Sequence, residues 1–205
     1  MAFLSDQDRA RIEAAVTAAE QRTSGEFVTV IAARADDYRH VPILAAAALA
    51  FLLSGVWLLL PVDFSHVEFY AGQVVLFIGA AAFLHWQPVR MALVPQREKA
   101  LRARHLAHEQ FLELGLSSTK DRTGVMLFVA VAEHYVEILA DRGVHAHVGA
   151  AVWERIIADF TRDIRAGRVA DGFVGAIEAC AQAMAGPCPK RADDRNELPN
   201  RLVEL

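Results

Sequence analysis

Cysteine is scarce: the chain of 205 residues has two, Cys180 and Cys188. A disulfide between them remains possible by count, but two thiols make no disulfide scaffold, and reduced structural thiols are the expectation. A surplus of positive charge is missing as well. The formal net charge is −4 at pH 7, which offers no basic surface for nucleic acid, so none is expected as a partner. The first eight residues lack a basic n-region and an apolar h-region, and no cleavable signal peptide is expected. There is no G-x-x-x-x-G-K-[ST], no G-x-S-x-G and no H-E-x-x-H, which removes the standard nucleotide, hydrolase and zincin motifs and leaves the catalytic residues unassigned.

Charge is also absent from two long stretches, and that absence is the strongest signal in the chain. Residues 43–60 are apolar apart from Ser54 and Gly55, and residues 69–86 hold only Gln73 and His85 as strongly polar members. Each is about as long as the roughly 20 helical residues that cross a hydrocarbon core of about 30 Å. The reading is a transmembrane helical hairpin over 41–95, with spans at about 42–60 and 69–88 and the lipid bilayer as its first partner. No Asp, Glu, Lys or Arg interrupts either apolar run, which argues against an ion or proton pathway. The linker 61–68 holds no Lys or Arg, whereas Arg34, Arg39, Arg90, Arg97, Lys99, Arg102 and Arg104 flank the two spans on their other sides. Basic residues resist translocation, so both termini are expected in the cytoplasm.

What remains, 1–40 and 96–205, has the charge density of a water-soluble domain. Ser5 and Asp8 make a loose capping box before an amphipathic helix over 6–22, with Ile12, Val16 and Ala19 at helical spacing. Residues 26–32 read as a buried strand, 97–114 as a helix, 124–131 as a central strand covered on both faces, and 135–140 as its partner. Two helices follow: 148–165 with Val152, Ile156 and Phe160 on one stripe, and 170–184 with Phe173, Ile177, Cys180 and Met184. Residues 190–205 are a charged tail, or a strap packing through Leu198, Leu202 and Val203. The alternation of helices and buried strands points to an α/β fold, an αβα sandwich interrupted by the hairpin.

Candidate chemistry is acidic. Asp121 precedes the central strand and Asp141 follows the next one, so a hairpin of those strands would bring them together as metal ligands. Hard cations, Ca²⁺ or Mg²⁺, take several carboxylate and carbonyl oxygens and can polarise a phosphate. Asp36, Asp37, Asp193, Asp194 and Glu197 are further acids in reach of that idea. Against it stands the plainer reading of loop acids as solvated surface or helix caps, with Asp141-Arg142-Gly143 as a turn. His105 and His108 at i, i+3, and His145 and His147 alternating on an extended segment, have the spacing of metal ligands but lack the third and fourth that such sites need.

Several segments resemble the TPM domain family, named for thylakoid, photosystem and membrane-modulator proteins. They are residues 19–30, 123–131, 136–144, Trp153 and 194–199. The hairpin is similar to insertions in bacterial members. The resemblance implies a Rossmann-like αβα fold with a small mixed sheet; the two spans and the charge pattern, which departs from that of exported relatives, make the bacterial inner (plasma) membrane the expected location, as a multi-pass protein. Relatives are linked to photosystem repair, acid phosphatase activity and modulation of membrane receptors, so fold is constrained better than function. The expected function is an accessory, assembly or quality-control role toward membrane proteins or copies of itself. The alternative is a divalent-cation-dependent phosphatase at the membrane surface.

Overall fold

The computed structural model describes residues 4–57, 65–191 and 196–205. Among them the elements run α1 (Asp6–Glu20), β1 (Glu26–Ala32), α2 (His40–Trp57), α3 (His66–Leu84), α4 (Gln87–Leu93), α5 (Gln96–Glu113), a 3-10 turn (Leu116–Ser118), β2 (Gly124–Ala130), β3 (Tyr135–Ala140), α6 (Arg142–His145), α7 (Ala150–Arg165), α8 (Val169–Met184) and β4 (Val203–Glu204). They fall into two compact units, Met1–Ala35 with Ala100–Leu205, and Asp36–Lys99.

The first unit is built on a four-stranded mixed sheet of order β3-β2-β1-β4. β1 lies parallel to β2 and to β4, and β3 is antiparallel to β2. Every residue of β1 and β2 is buried, whereas β3 at the edge is half-buried throughout. A parallel pair covered on both faces has no need of polar alternation, which is why both strands read as apolar runs. Alternate side chains serve two cores. Phe27, Ile31, Val125, Leu127 and Val129 meet α1, α7 and α8, while Val28, Val30, Met126, Phe128 and Ala130 meet Ala103 and Ala107 of α5. The Phe160 and Phe173 rings lock α7 to α8 edge to face, 5.1 Å between centroids, a geometry worth about 1 kcal/mol beyond the area buried.

Local chemistry explains most element ends. Ser5 Oγ accepts from the Asp8 N–H at 3.1 Å, and the Asp8 carboxylate accepts from the Ser5 N–H at 3.4 Å, so Asp closes a capping box usually closed by Glu. Two expectations need correction. The stripe of α7 uses Trp153 with Ile156 and Phe160, and Val152 is 42% exposed. Positions 152 and 153 are both within a turn of 156, and the larger ring takes the core site. His145 and His147 are not on an extended segment: Asp141 caps α6, and His147 Nδ1 lies 2.8 Å from the Gly143 carbonyl. Of the two readings of the C-terminal stretch, tail or strap, the described residues 196–205 take the strap. Leu202 enters one core, Leu198 and Val203 pack on the other, and β4 pairs with β1 at Val30↔Val203 and Ile31↔Glu204.

In the second unit α2 and α3 pack on each other and α4 packs on both. α3 stops at Leu84, short of the expected 88, and the chain turns at Trp86 to begin α4 with a proline in its first turn, where a missing N–H costs nothing. Among the described residues α3 is the one helix long and apolar enough to cross a membrane; α2 contributes a shorter apolar stretch, His40–Val56.

Candidate functional site

Because β1 and β2 are parallel and β3 returns antiparallel, the starts of β1 and β2 and the end of β3 converge on one edge of the sheet. The Glu26 N–H donates to the Thr123 carbonyl at 3.3 Å, and the Asp141 N–H to the Gly124 carbonyl at 2.9 Å. Thr123 Oγ1 donates to the Ser24 carbonyl at 2.8 Å, so the loop before β2 is tied to the turn before β1.

That loop is tight. The Arg122 N–H donates to the Thr119 carbonyl and the Thr123 N–H to Thr119 Oγ1, with Arg122 held at φ 56°. A non-glycine residue there is uncommon and carries strain. The Gly143 N–H donates to the Arg122 carbonyl at 3.0 Å. A Cβ at Gly143 would stand 2.6 Å from the carbonyl oxygens of both Asp121 and Arg122, so only glycine lets α6 seat against the loop.

The β2–β3 hairpin therefore brings the Asp121 and Asp141 segments together, as the spacing suggested. Their side chains are engaged differently. Asp121 accepts from Arg191 Nη1 at 2.9 Å. Asp141 Oδ1 accepts from the Arg142 N–H at 2.7 Å, and Oδ2 is buried without a hydrogen-bond partner, 3.9 Å from Arg122 Nη1. Oδ2 is the atom a cation or a protonated ligand would take. Glu197 joins the loop by accepting from the Lys120 N–H at 3.1 Å. Asp193 and Asp194 lie outside the described residues. Asp36 accepts from the Tyr38 N–H and Asp37 pairs with Arg39, in the second unit. Among the described residues no three His, Cys, Asp or Glu side chains group as a metal site.

The sequence reading missed two acidic clusters. Glu20 is buried at the end of α1, its Oε1 accepting from the Phe27 N–H at 3.2 Å and its Oε2 from Asn200 Nδ2 at 2.6 Å. Burial pushes its carboxyl up to about 7, with Glu26 nearby adding to the rise. Glu26 Oε2 accepts from the Leu198 N–H and Glu13 Oε1 from the Leu202 N–H. Three glutamates thus seat the C-terminal strap. The available signal was that Glu20 follows Ile12 and Val16 on the buried stripe of α1. In the second cluster Tyr135 donates to Glu137 at 3.1 Å, with His108 Nε2 and Arg104 Nε each 3.9 Å from the same carboxylate. Burial raises Glu137 and Tyr135 alike. His105 is exposed and takes no part. Burial also pushes the Cys180 thiol up to about 12 and raises Cys188, the state of inert packing thiols.

The family model of the TPM domain matches residues 87–183. Over that stretch the chain is similar to a TPM domain. It contains β2, β3 and the Asp121–Asp141 edge, while α1, β1 and the C-terminal strap lie outside the matched stretch. The fold as a whole is similar to that of BA42 protein from the psychrophilic bacterium Bizionia argentinensis, determined by NMR, at 20% identity and a TM-score of 0.59 over 99% of this chain and 96% of that one. No curated protein matches the chain.

Proposed function

We propose that this chain is a membrane-anchored TPM-domain protein with a Rossmann-like αβα domain, held in the bacterial inner membrane by the hairpin 41–95 with both termini cytoplasmic. Its role is accessory, in assembly or quality control of membrane proteins or copies of itself. The observation that carries the reading is the state of α2 and α3. Thirteen large apolar side chains on these helices are exposed, from Ile43 and Leu44 through Phe51 to Val75, Ile78 and Phe83. The apolar window of α3 is 6% buried. A core helix of a soluble protein would be mostly covered. Burial of one such side chain is worth about 1.5–3 kcal/mol, so leaving these in water forfeits more than the roughly 5–15 kcal/mol that stabilises a domain. Lipid supplies the missing cover.

The orientation is tested by thiol labelling in intact cells. Cys188 is buried and makes a poor reporter, so the pair to compare is Ser65→Cys at the hairpin tip and Glu154→Cys on the exposed face of α7. An impermeant maleimide should label the first and spare the second. The reverse pattern overturns the topology.

A second reading is favoured by Asp141 Oδ2, which is buried with no hydrogen-bond partner. Asp141, Asp121 and the loop carbonyls would hold Ca²⁺ or Mg²⁺, and the cation would polarise a phosphate ester. Hydrolysis of p-nitrophenyl phosphate that needs divalent cation and is lost in Asp141→Asn supports it. Absence of hydrolysis, or hydrolysis indifferent to Asp141, leaves the accessory role standing.

A further inference from the structure

The short helix α4 is inside out. Of its seven residues Arg90 is the buried one, 7% exposed, whereas Leu93 is 40% exposed and the preceding Trp86 is 63% exposed. In water this polarity would be the wrong way round. It is the arrangement expected where lipid bathes the outside of a helix and ionisable groups turn inward. α4 packs against both α2 and α3, so the inward cation faces the hairpin's own base.

Inward-facing charges in such positions pair with one another or with backbone carbonyls. Arg90 does neither: its Nε is buried with no hydrogen-bond partner, and among the described residues no carboxylate reaches its guanidinium. Arginine cannot shed its proton to escape the penalty, and a buried unpaired charge is strongly unfavourable. Among the described residues none supplies the anion, and one from outside the chain fits the place. Its level is set by the sequence of groups along the chain. Leu84 ends the apolar helix, exposed Trp86 follows, and Arg90 stands one turn further on. Tryptophan marks the headgroup zone, where lipid phosphates lie. A guanidinium fork matches a phosphate with two parallel hydrogen bonds, and basic pockets among spanning helices on the cytoplasmic side take acidic headgroups.

We propose that Arg90 receives the phosphate of an anionic phospholipid at the base of the hairpin, where α4 folds against α2 and α3. The inference rests on the membrane reading and adds a lipid-specific site to it. Arg90 is the positioning charge; Trp86 and Leu93 face the acyl boundary.

The test uses the full chain in dodecyl maltoside, with unfolding followed by tryptophan fluorescence. Dioleoylphosphatidylglycerol should raise Tm saturably, by roughly 5–10 °C at a hundredfold excess over its dissociation constant. Dioleoylphosphatidylcholine and inorganic phosphate should give less than a third of that rise. Arg90→Met should abolish the rise without lowering the lipid-free Tm, because it removes the unpaired charge and keeps the volume. Arg97→Gln, an exposed neighbour, should keep most of it. A full phosphatidylglycerol response in Arg90→Met, or an equal response to phosphatidylcholine or inorganic phosphate, overturns the site. Should Arg90→Met fail to fold, Arg90→Lys decides: a rise cut by at least half supports the fork, and an undiminished rise refutes it. Alkaline carbonate extraction of membranes reads the anchor separately. A chain released by carbonate refutes the membrane reading, whereas one retained but indifferent to phosphatidylglycerol refutes only the lipid site.

Discussion

Glu20 offers the sharpest energetic test of the fold, because its carboxyl sits buried under the C-terminal strap. The folded-state value of about 7 lies above the ordinary 4.5, so between those limits the native state holds a proton that the unfolded chain has released. Stability from this group is therefore complete below about 4.5 and is lost as pH rises through 7. The difference from 4.5 to about 7, at about 1.4 kcal/mol per unit, sets an upper bound of about 3.5 kcal/mol. For a chain of this size that corresponds to roughly 7–14 °C in Tm. The Phe27 N–H and Asn200 hydrogen bonds favour the ionised form, and the value of about 7 already includes their opposition to burial. Glu20→Gln stays neutral at every pH. Melting wild type and Glu20→Gln across pH 5–8 should show wild-type Tm falling with pH and the variant losing at least half of that fall. The remainder belongs to Glu137, whose burial raises it in the same direction. Parallel slopes for the two proteins, or a wild-type Tm that climbs from pH 5 to 8, would refute the reasoning.

Gly143→Ala should cost about 2–3 kcal/mol in denaturant unfolding, since the new Cβ meets two backbone carbonyl oxygens at 2.6 Å and neither can rotate away; a loss under 0.5 kcal/mol would mean that α6 is not held against the loop. Removal of residues 203–205 should open the β1 edge. The Ala33 N–H, which donates to the Leu205 carbonyl at 2.9 Å, should then exchange with deuterium at least tenfold faster, while amides of β2 keep their protection.

The sheet was legible in the sequence where burial is complete and the run is long. β1 and β2 carry no polar alternation to confuse, and the β2–β3 hairpin follows from the short Ala132-Glu133-His134 connection. The hidden parts share a cause: each depends on partners distant in sequence. β4 is two residues in a charged stretch and exists because the edge of β1 offers it backbone bonds. Glu20 and Glu26 look like surface acids until the strap from Asn196 to Leu202 is laid over them. Arg90 looked like a topology signal in a row of basic residues, and nothing in that row singles it out as the inward one. The acidic pair was half legible. Spacing brought the Asp121 and Asp141 segments together, but could not show that Arg191 pairs with the first or that the second leaves one oxygen without a hydrogen-bond partner.

The central claim is that lipid covers the apolar face of α3, and a spin label at Val75→Cys reads this directly, since that side chain is 70% exposed. In proteoliposomes the account predicts that dissolved oxygen relaxes the label efficiently and that a water-soluble nickel chelate does not. A label relaxed more strongly by the nickel chelate than by oxygen would place α3 in water and contradict the anchor.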